Sequence, residues 1–463
     1  MTQSIILTNR DLLFSRWQFW KILLGGILTV MGGAGTVLAT AEKGIQEHTL
    51  ANGLKVVLVE DHWHPLAALA VCYGVGSRYD PAGKQGLAHL LEHLTFRPLG
   101  LLHAEEATPT ERAGRARATT DHDTTRYNSR LLRAEIGSAL TAEAARMATL
   151  QISADDLAHE KAIITKERRQ LVEGDTWRNL LEEVDSVAFR LHPYRFPTAG
   201  WPETLAQISL DDVQRHFAAY YAPGNAVLVV VGDFHTQDLL VRVESTFGQI
   251  PARMLPAPSV YVEPAPGGER RVLLAPQGAP RIAYAYHVPA FGSPENAALE
   301  VLSTLLADGD QARLSARLYG QHLADAVGIE YSPLNRDPGL FYIKVALGSP
   351  ADFRLTGEAI DDVLWHLRED GLHPGELEQT KKRLLLDFYL NQSLETQAER
   401  SGQYDTLAAL PRAEHYADQL QAVTATDVQQ AIRAYFFSED RVVGITGVAH
   451  QDEERLHQEG KAR

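Results

Sequence analysis

Residues 208–234, ISLDDVQRHFAAYYAPGNAVLVVVGDF, and residues 423–449, VTATDVQQAIRAYFFSEDRVVGITGVA, align without a gap at an offset of 215 residues. Each reads as an amphipathic helix, a turn and a buried strand closing in glycine. The halves also open alike. GLKVVLVED and LAALAVCYGVGS are strand-like runs rich in β-branched residues, and RRVLLAPQ and RIAYAYHVPAFGS repeat that pattern later. Between the halves lies a stretch of prolines and glycines, residues 250–270 (IPARMLPAPSVYVEPAPGGER), which reads as a semi-extended linker. The chain is therefore a tandem duplication, with one repeat over 42–249 and a second over 271–450. Strands first, long helices in the middle and a strand at the end predict an α+β fold. Each repeat is a two-layer sandwich, a mixed and mostly antiparallel sheet with helices on one face.

The termini read differently. Arg10, Arg16 and Lys21 precede an apolar run, ILLGGILTVMGGAGTVLA, which ends in Ala-Thr-Ala at Ala39–Ala41. That is the form of a signal peptide over residues 1–41 cleaved after Ala41, with export to a periplasm; the alternative is a retained anchor. Residues 451–463 are polar and read as a frayed tail. A formal charge of −15 offers no basic face and excludes a nucleic-acid partner. The single cysteine, Cys72, rules out an internal disulfide and a cysteine-based zinc site.

Gly86–Leu94, GLAHLLEHL, places His89, Glu92 and His93 among leucines. On a helix, positions i and i+4 share a face, so His89 and His93 point the same way and can share one metal ion. Glu92 lies beside them, placed to accept a proton from water. The order H-x-x-E-H reverses the commoner H-E-x-x-H, and the chemistry tolerates either. The competing reading is a core helix with tolerated polar residues. Three ionisable groups within five residues would all need partners if buried, and a cation satisfies all three at once. The stretch DDLAHEKAIITKERRQLVEG puts Leu157, Glu160, Ile164, Glu167 and Leu171 on one helical stripe. Two glutamates on a core-facing stripe call for a positive charge opposite. Glu167 is the candidate third ligand. Glu160 is either the acid that orients a histidine or a solvated helix residue. His62 and His64 form an i, i+2 pair in a loop-like stretch and read as surface or turn residues, as do Asp121, His122 and Asp123.

At this point the sequence resembles the inverzincin metallopeptidases of the pitrilysin and insulinase family, in the shorter form typified by mitochondrial-processing-peptidase subunits. The matching stretches are GSRYDPAGKQGLAHLLEHLTF, the acidic helix ending in Glu167, HPYRFPTAGW (His192–Trp201) and YYAPGNAVLVVVGDF; His93 and Glu167 are 74 residues apart, near the family spacing. The resemblance implies a zinc endopeptidase acting on peptides or unfolded segments. One Zn²⁺ per chain would be held by His89, His93 and Glu167, with Glu92 as general base. It implies substrate binding as an added strand beside Gly114–Tyr127. There Arg117 replaces the family's asparagine while Ala118 and Thr120 fit, which suggests altered subsite preference, towards acidic side chains. It also implies that this chain is one half of a clamshell. The opposite half would supply an arginine and a tyrosine; here Tyr331 falls at the tyrosine position and Ala324 at the arginine position. That points to a heterodimer with a homologous subunit, a homodimer being the alternative. The rival function is a non-catalytic peptide-binding or scaffold subunit of the same fold. An N₂O donor set also accepts manganese or cobalt.

Overall fold

The parallel pairing of two short strands sets up each half. In the computed structural model, β2 (Lys55–Glu60) lies parallel to β6 (Ala226–Gly232), with Lys55 opposite Val227 and Glu60 opposite Gly232. In the second half β7 (Arg270–Leu274) lies parallel to β11 (Val442–Thr446), with Arg270 opposite Val442. Both pairings carry the 215-residue offset seen in the sequence. The structure describes residues 44–96, 116–173, 175–265, 267–275, 278–309, 312–348, 352–407 and 415–447. The expected signal segment and polar tail lie outside them. No helix among the described residues is long and apolar enough to cross a membrane.

The first sheet adds β1 (Ile45–Thr49), β3 (Leu66–Tyr73), β4 (Ala116–Thr120) and β5 (Thr125–Leu132), in the order β1-β2-β6-β3-β5-β4. The second adds β8 (Arg281–Val288), β9 (Ala324–Tyr331) and β10 (Gly339–Leu347), in the order β7-β11-β8-β10-β9. All other neighbours in both sheets are antiparallel. The fold is thus the expected α+β duplication.

Side chains alternate across each strand, so each sheet has two apolar faces to cover. Val56, Leu58, Leu69, Val71, Leu228 and Val230 face the first repeat's own helices, among them α1 (Leu87–Thr95), α2 (Ile136–Ala148), α3 (Ala154–Arg168), α5 (Leu210–Tyr220) and α6 (Thr236–Phe247). Between α3 and α5 the chain forms α4 (Thr176–Ala188), which leaves this layer. Its Leu180, Leu181 and Val184 pack instead on Val272, Ala283, Ala285, Tyr342 and Val442 of the second sheet. The second repeat answers in kind. Its α7 (Asn296–Ala307), α8 (Phe353–Glu369) and α10 (Ala425–Tyr435) cover one face of its own sheet. Its α9 (Leu394–Leu407) crosses to the first sheet, where Ala398 and Leu394 meet Val57, Ala68, Ala70, Cys72, Val229 and Val231.

The two crossings are close, and glycine makes room for both. A Cβ on Gly402 of α9 would stand 2.3 Å from Cys72 Sγ, and one on Gly444 of β11 would stand 2.5 Å from Val184 of α4. The expectation of helices on one face therefore describes each repeat's own helices. The opposite face is closed by a helix from the other repeat, because an apolar pattern shows which side needs covering and not which element covers it. The linker is pinned as well: Arg78 donates to Ser259 O, and the Glu263 carboxylate accepts the backbone N–H groups of Arg190, Leu191 and His192.

Candidate metal centre

Four leucines seat α1. Leu87, Leu90, Leu91 and Leu94 are buried in the first core, each contributing about 2–3 kcal/mol of apolar burial. Together these exceed the cost of carrying polar side chains on the same helix. The Asp80 carboxylate accepts the N–H groups of Gly86, Leu87 and Ala88 at 2.8, 3.2 and 2.9 Å, satisfying the free donors of the helix N-terminus. Thr204, just beyond the HPYRFPTAGW stretch, donates to Gln85 O at 3.0 Å and braces the same end. At the C-terminal end Thr95 Oγ1 donates to Leu91 O and bonds Tyr127 Oη at 2.6 Å; Tyr127 in turn bonds Tyr221 at 3.1 Å.

The polar face of α1 meets α3. His89, His93 and Glu167 bring one donor atom each within 4.8 Å of one another. His93 Nε2 stands 3.5 Å from Glu167 Oε2. Two ligands of a tetrahedral zinc at its usual bond length lie about 3.3 Å apart, so the spacing suits that ion. Glu160 Oε2 lies 3.2 Å from the other ring nitrogen of His93, Nδ1. That contact directs the ring proton to Nδ1 and leaves the Nε2 lone pair facing Glu167, the arrangement that carboxylate–histidine–metal units use. The rings of His89 and His93 meet edge to face, with centroids 4.7 Å apart. Burial and the neighbouring His93 push the His89 imidazole down to about 4, so it stays neutral, as a ligand must. Its Nδ1 is buried without a hydrogen-bond partner. The donor set, two imidazoles and a carboxylate whose ligand atoms all lie within 4.8 Å of one another, fits zinc.

Glu92 is 7% exposed, and Thr120 Oγ1 donates to its Oε2 at 2.6 Å. Burial raises the Glu92 carboxyl above its ordinary value, and the bond from Thr120 opposes that rise. A carboxylate raised in this way is a better proton acceptor at neutral pH.

The remaining candidates fall as follows. β4 ends the first sheet, with Ala118 turned towards the core and Thr120 towards Glu92. Arg117 points to the other face and pairs with Glu399 of α9, which also holds Arg126 Nε at 3.0 Å. Its charge is already compensated, so a preference for acidic side chains has no support here. Gly114 and Arg115 lie outside the described residues. Tyr331 ends β9, and its hydroxyl accepts from Asn296 Nδ2 at 3.0 Å while its ring packs against Phe341. The side chain thus packs within the second repeat. Leu171 leaves the stripe: α3 stops at Arg168, the chain widens into a π turn over Arg169–Glu173, and Leu171 is exposed.

Three features lay beyond the sequence patterns. One is the Asp80 cap, seven residues before the first residue of the helix it serves. Another is the Thr120–Glu92 bond. The third is the work of His192 and Tyr194, which bond Asp337 at 2.8 Å and Asp123 at 2.5 Å and, with Arg78, tie the first repeat to the β9–β10 loop.

Residues 55–200 match the family model described as Insulinase (Peptidase family M16), and residues 207–384 match the Peptidase M16 inactive domain. The chain belongs to the M16 peptidase family. Among its M16 relatives is the zinc protease PqqE of Helicobacter pylori, 28% identical over 396 residues, spanning 82% of this chain and 88% of that protein. A solved protease structure from Helicobacter pylori superposes with a TM-score of 0.80 at 26% identity, covering 87% of this chain and 99% of that one. The periplasmic protease PqqL from Escherichia coli shares the fold, with a TM-score of 0.72 at 16% identity; the match covers 91% of this M16 chain and 50% of PqqL. The second repeat contains no H-x-x-E-H.

Proposed function

We propose that this chain is a zinc-dependent endopeptidase that cleaves peptides and unfolded segments. The convergence of His89, His93 and Glu167 beside a buried Glu92 carries the reading. Zinc, when bound there, polarises a scissile carbonyl and acidifies a water. Glu92, held by Thr120, takes the proton of the attacking water and passes it to the leaving amine. Glu160 fixes the ring of His93. β4 has no neighbour on its outer side among the described residues, and an extended peptide adds there as a further strand, its main chain supplying the affinity. The match to half of PqqL supports a chamber closed by a second copy or a homologous chain, and the periplasmic location of that protease agrees with export here.

The test is cleavage of a quenched, unstructured peptide by the purified chain, with Glu92→Gln as control and zinc content measured in both. Chelator-sensitive cleavage that vanishes in Glu92→Gln while zinc is retained supports the reading. A folded, zinc-loaded chain that cleaves nothing, alone or with any homologous subunit from its source, overturns it in favour of a binding subunit.

A further inference from the structure

The C-terminal ends of the parallel strands β2 and β6 gather a second set of ligating side chains on the first repeat. Glu60 closes β2, His62 follows it, and Asp233 and His235 lie between β6 and α6. The sequence offered His62 and His64 as a pair; the fold instead pairs His62 with His235, 173 residues away, their ring centroids 5.4 Å apart.

Each group is already oriented. Thr236 donates to Glu60 Oε2 through its N–H at 2.9 Å and its hydroxyl at 2.7 Å, fixing that carboxylate in place. The other oxygen, Oε1, faces His62 Nε2 at 2.8 Å and His235 Nδ1 at 3.5 Å. On the far side of its ring, His62 Nδ1 meets Asp233 Oδ1 at 2.6 Å, and Arg133 contacts that same oxygen at 3.2 Å. Carboxylate oxygens of Asp233 and Glu60 thus stand at the two ring nitrogens of His62, so a proton or a metal ion at Nε2 satisfies Glu60 while Nδ1–H donates to Asp233. One extra proton would satisfy His62, yet His235 presents a second nitrogen to the same carboxylate oxygen. Separations of 2.8 and 3.5 Å bracket the spacing of about 3.3 Å between ligands of a tetrahedral zinc.

We propose that Glu60, His62 and His235 bind a second divalent transition-metal ion, zinc foremost, with Asp233 orienting His62. Two imidazoles and one carboxylate favour zinc, nickel or copper over calcium or magnesium, which prefer all-oxygen sites. The site is open to solvent, leaving room for a water as fourth ligand. It clips the end of β2 to the start of α6, at a distance from the α1–α3 centre in sequence and in ligands. The second repeat has Ala275 where the first has Glu60, so the duplication does not predict a twin there.

The experiment compares four full-length chains: wild type, His89→Asn/His93→Asn, His62→Asn/His235→Asn, and the combination. Zinc per chain is measured after equilibrium dialysis at micromolar free zinc. Each His62→Asn/His235→Asn chain is expected to hold one ion fewer than its parent, whether or not the α1 site is intact. Asp233→Asn is expected to weaken this ion ~10–100-fold, as loss of an orienting carboxylate does. Equal zinc content with and without His62 and His235 overturns the proposal and leaves a protonated His62 held between two carboxylates. Should the His62→Asn/His235→Asn chains fail to fold, Cu²⁺ spin resonance on the His89→Asn/His93→Asn chain decides: coupling to two imidazole nitrogens supports the site, and an oxygen-only spectrum overturns it.

Discussion

Leu180→Ala tests the exchange of helices between the repeats. Leu180 belongs to the first repeat by sequence, yet it is fully buried against the second sheet, where a Cβ added to Gly444 of β11 would stand 3.0 Å from its Cδ1. A buried leucine cut to alanine costs about 2–5 kcal/mol, the sum of lost transfer energy and the cavity left behind. The upper part of that range suits this site, because the sheet backbone under α4 cannot collapse into the gap. If α4 closes the second sheet, the cost is felt as easier opening of β8 and β11. Each 1.4 kcal/mol is tenfold in an equilibrium, so amide exchange in those strands should quicken about 30- to 4,000-fold. Hydrogen exchange read by mass spectrometry on peptides covering β8, β11, β3 and β6 provides the assay. The expected result is a larger increase in β8 and β11 than in β3 and β6. An increase confined to α4, or one larger in the first sheet, refutes the reasoning. Gly402→Ala gives the mirror experiment, since its new Cβ collides with Cys72 and should loosen β3 and β6 first.

Other consequences are checked more simply. Glu160→Gln should keep the fold and weaken zinc binding ~10–100-fold in competition with a chromophoric chelator; an unchanged affinity would make Glu160 a solvated helix residue. Thr120→Val removes a hydrogen bond to a charged acceptor, worth about 1.5–3 kcal/mol, and should lower kcat ~10–100-fold while zinc content stays the same. Asp185 on α4 accepts from the Tyr342 hydroxyl, and burial pushes its carboxyl up to about 8. A group whose folded value lies above its unfolded one stabilises most below the unfolded value, near 3.8, and that contribution is lost as pH rises through 8. Urea midpoints measured between these limits should fall with pH in the wild type and fall less in Asp185→Asn.

How far the sequence reached can be judged from particular residues. The duplication, the α+β class and the shared faces of His89 with His93 and of Glu160 with Glu167 followed from offsets and helical spacing, because both report geometry within one element or one repeat; the meeting of the two faces was implied by the family resemblance. Leu171 shows where such spacing fails: a π turn after Arg168 changes the rise per turn, and the stripe drifts off the core. Arg117 shows another limit, since a cation on an edge strand looks free until Glu399, 282 residues on, is found beside it.

The sequence by itself determined which polar side chains α1 and α3 each gather on one face, and which strands need covering. Periodicity encodes that directly, since a helix or strand displays its own face. Tertiary structure alone decided that α4 and α9 trade sheets, that Thr120 holds Glu92, and that Glu60, His62 and His235 meet at the ends of two parallel strands. Each of those contacts joins segments far apart in the chain, and such neighbours are chosen by the packing of the whole fold.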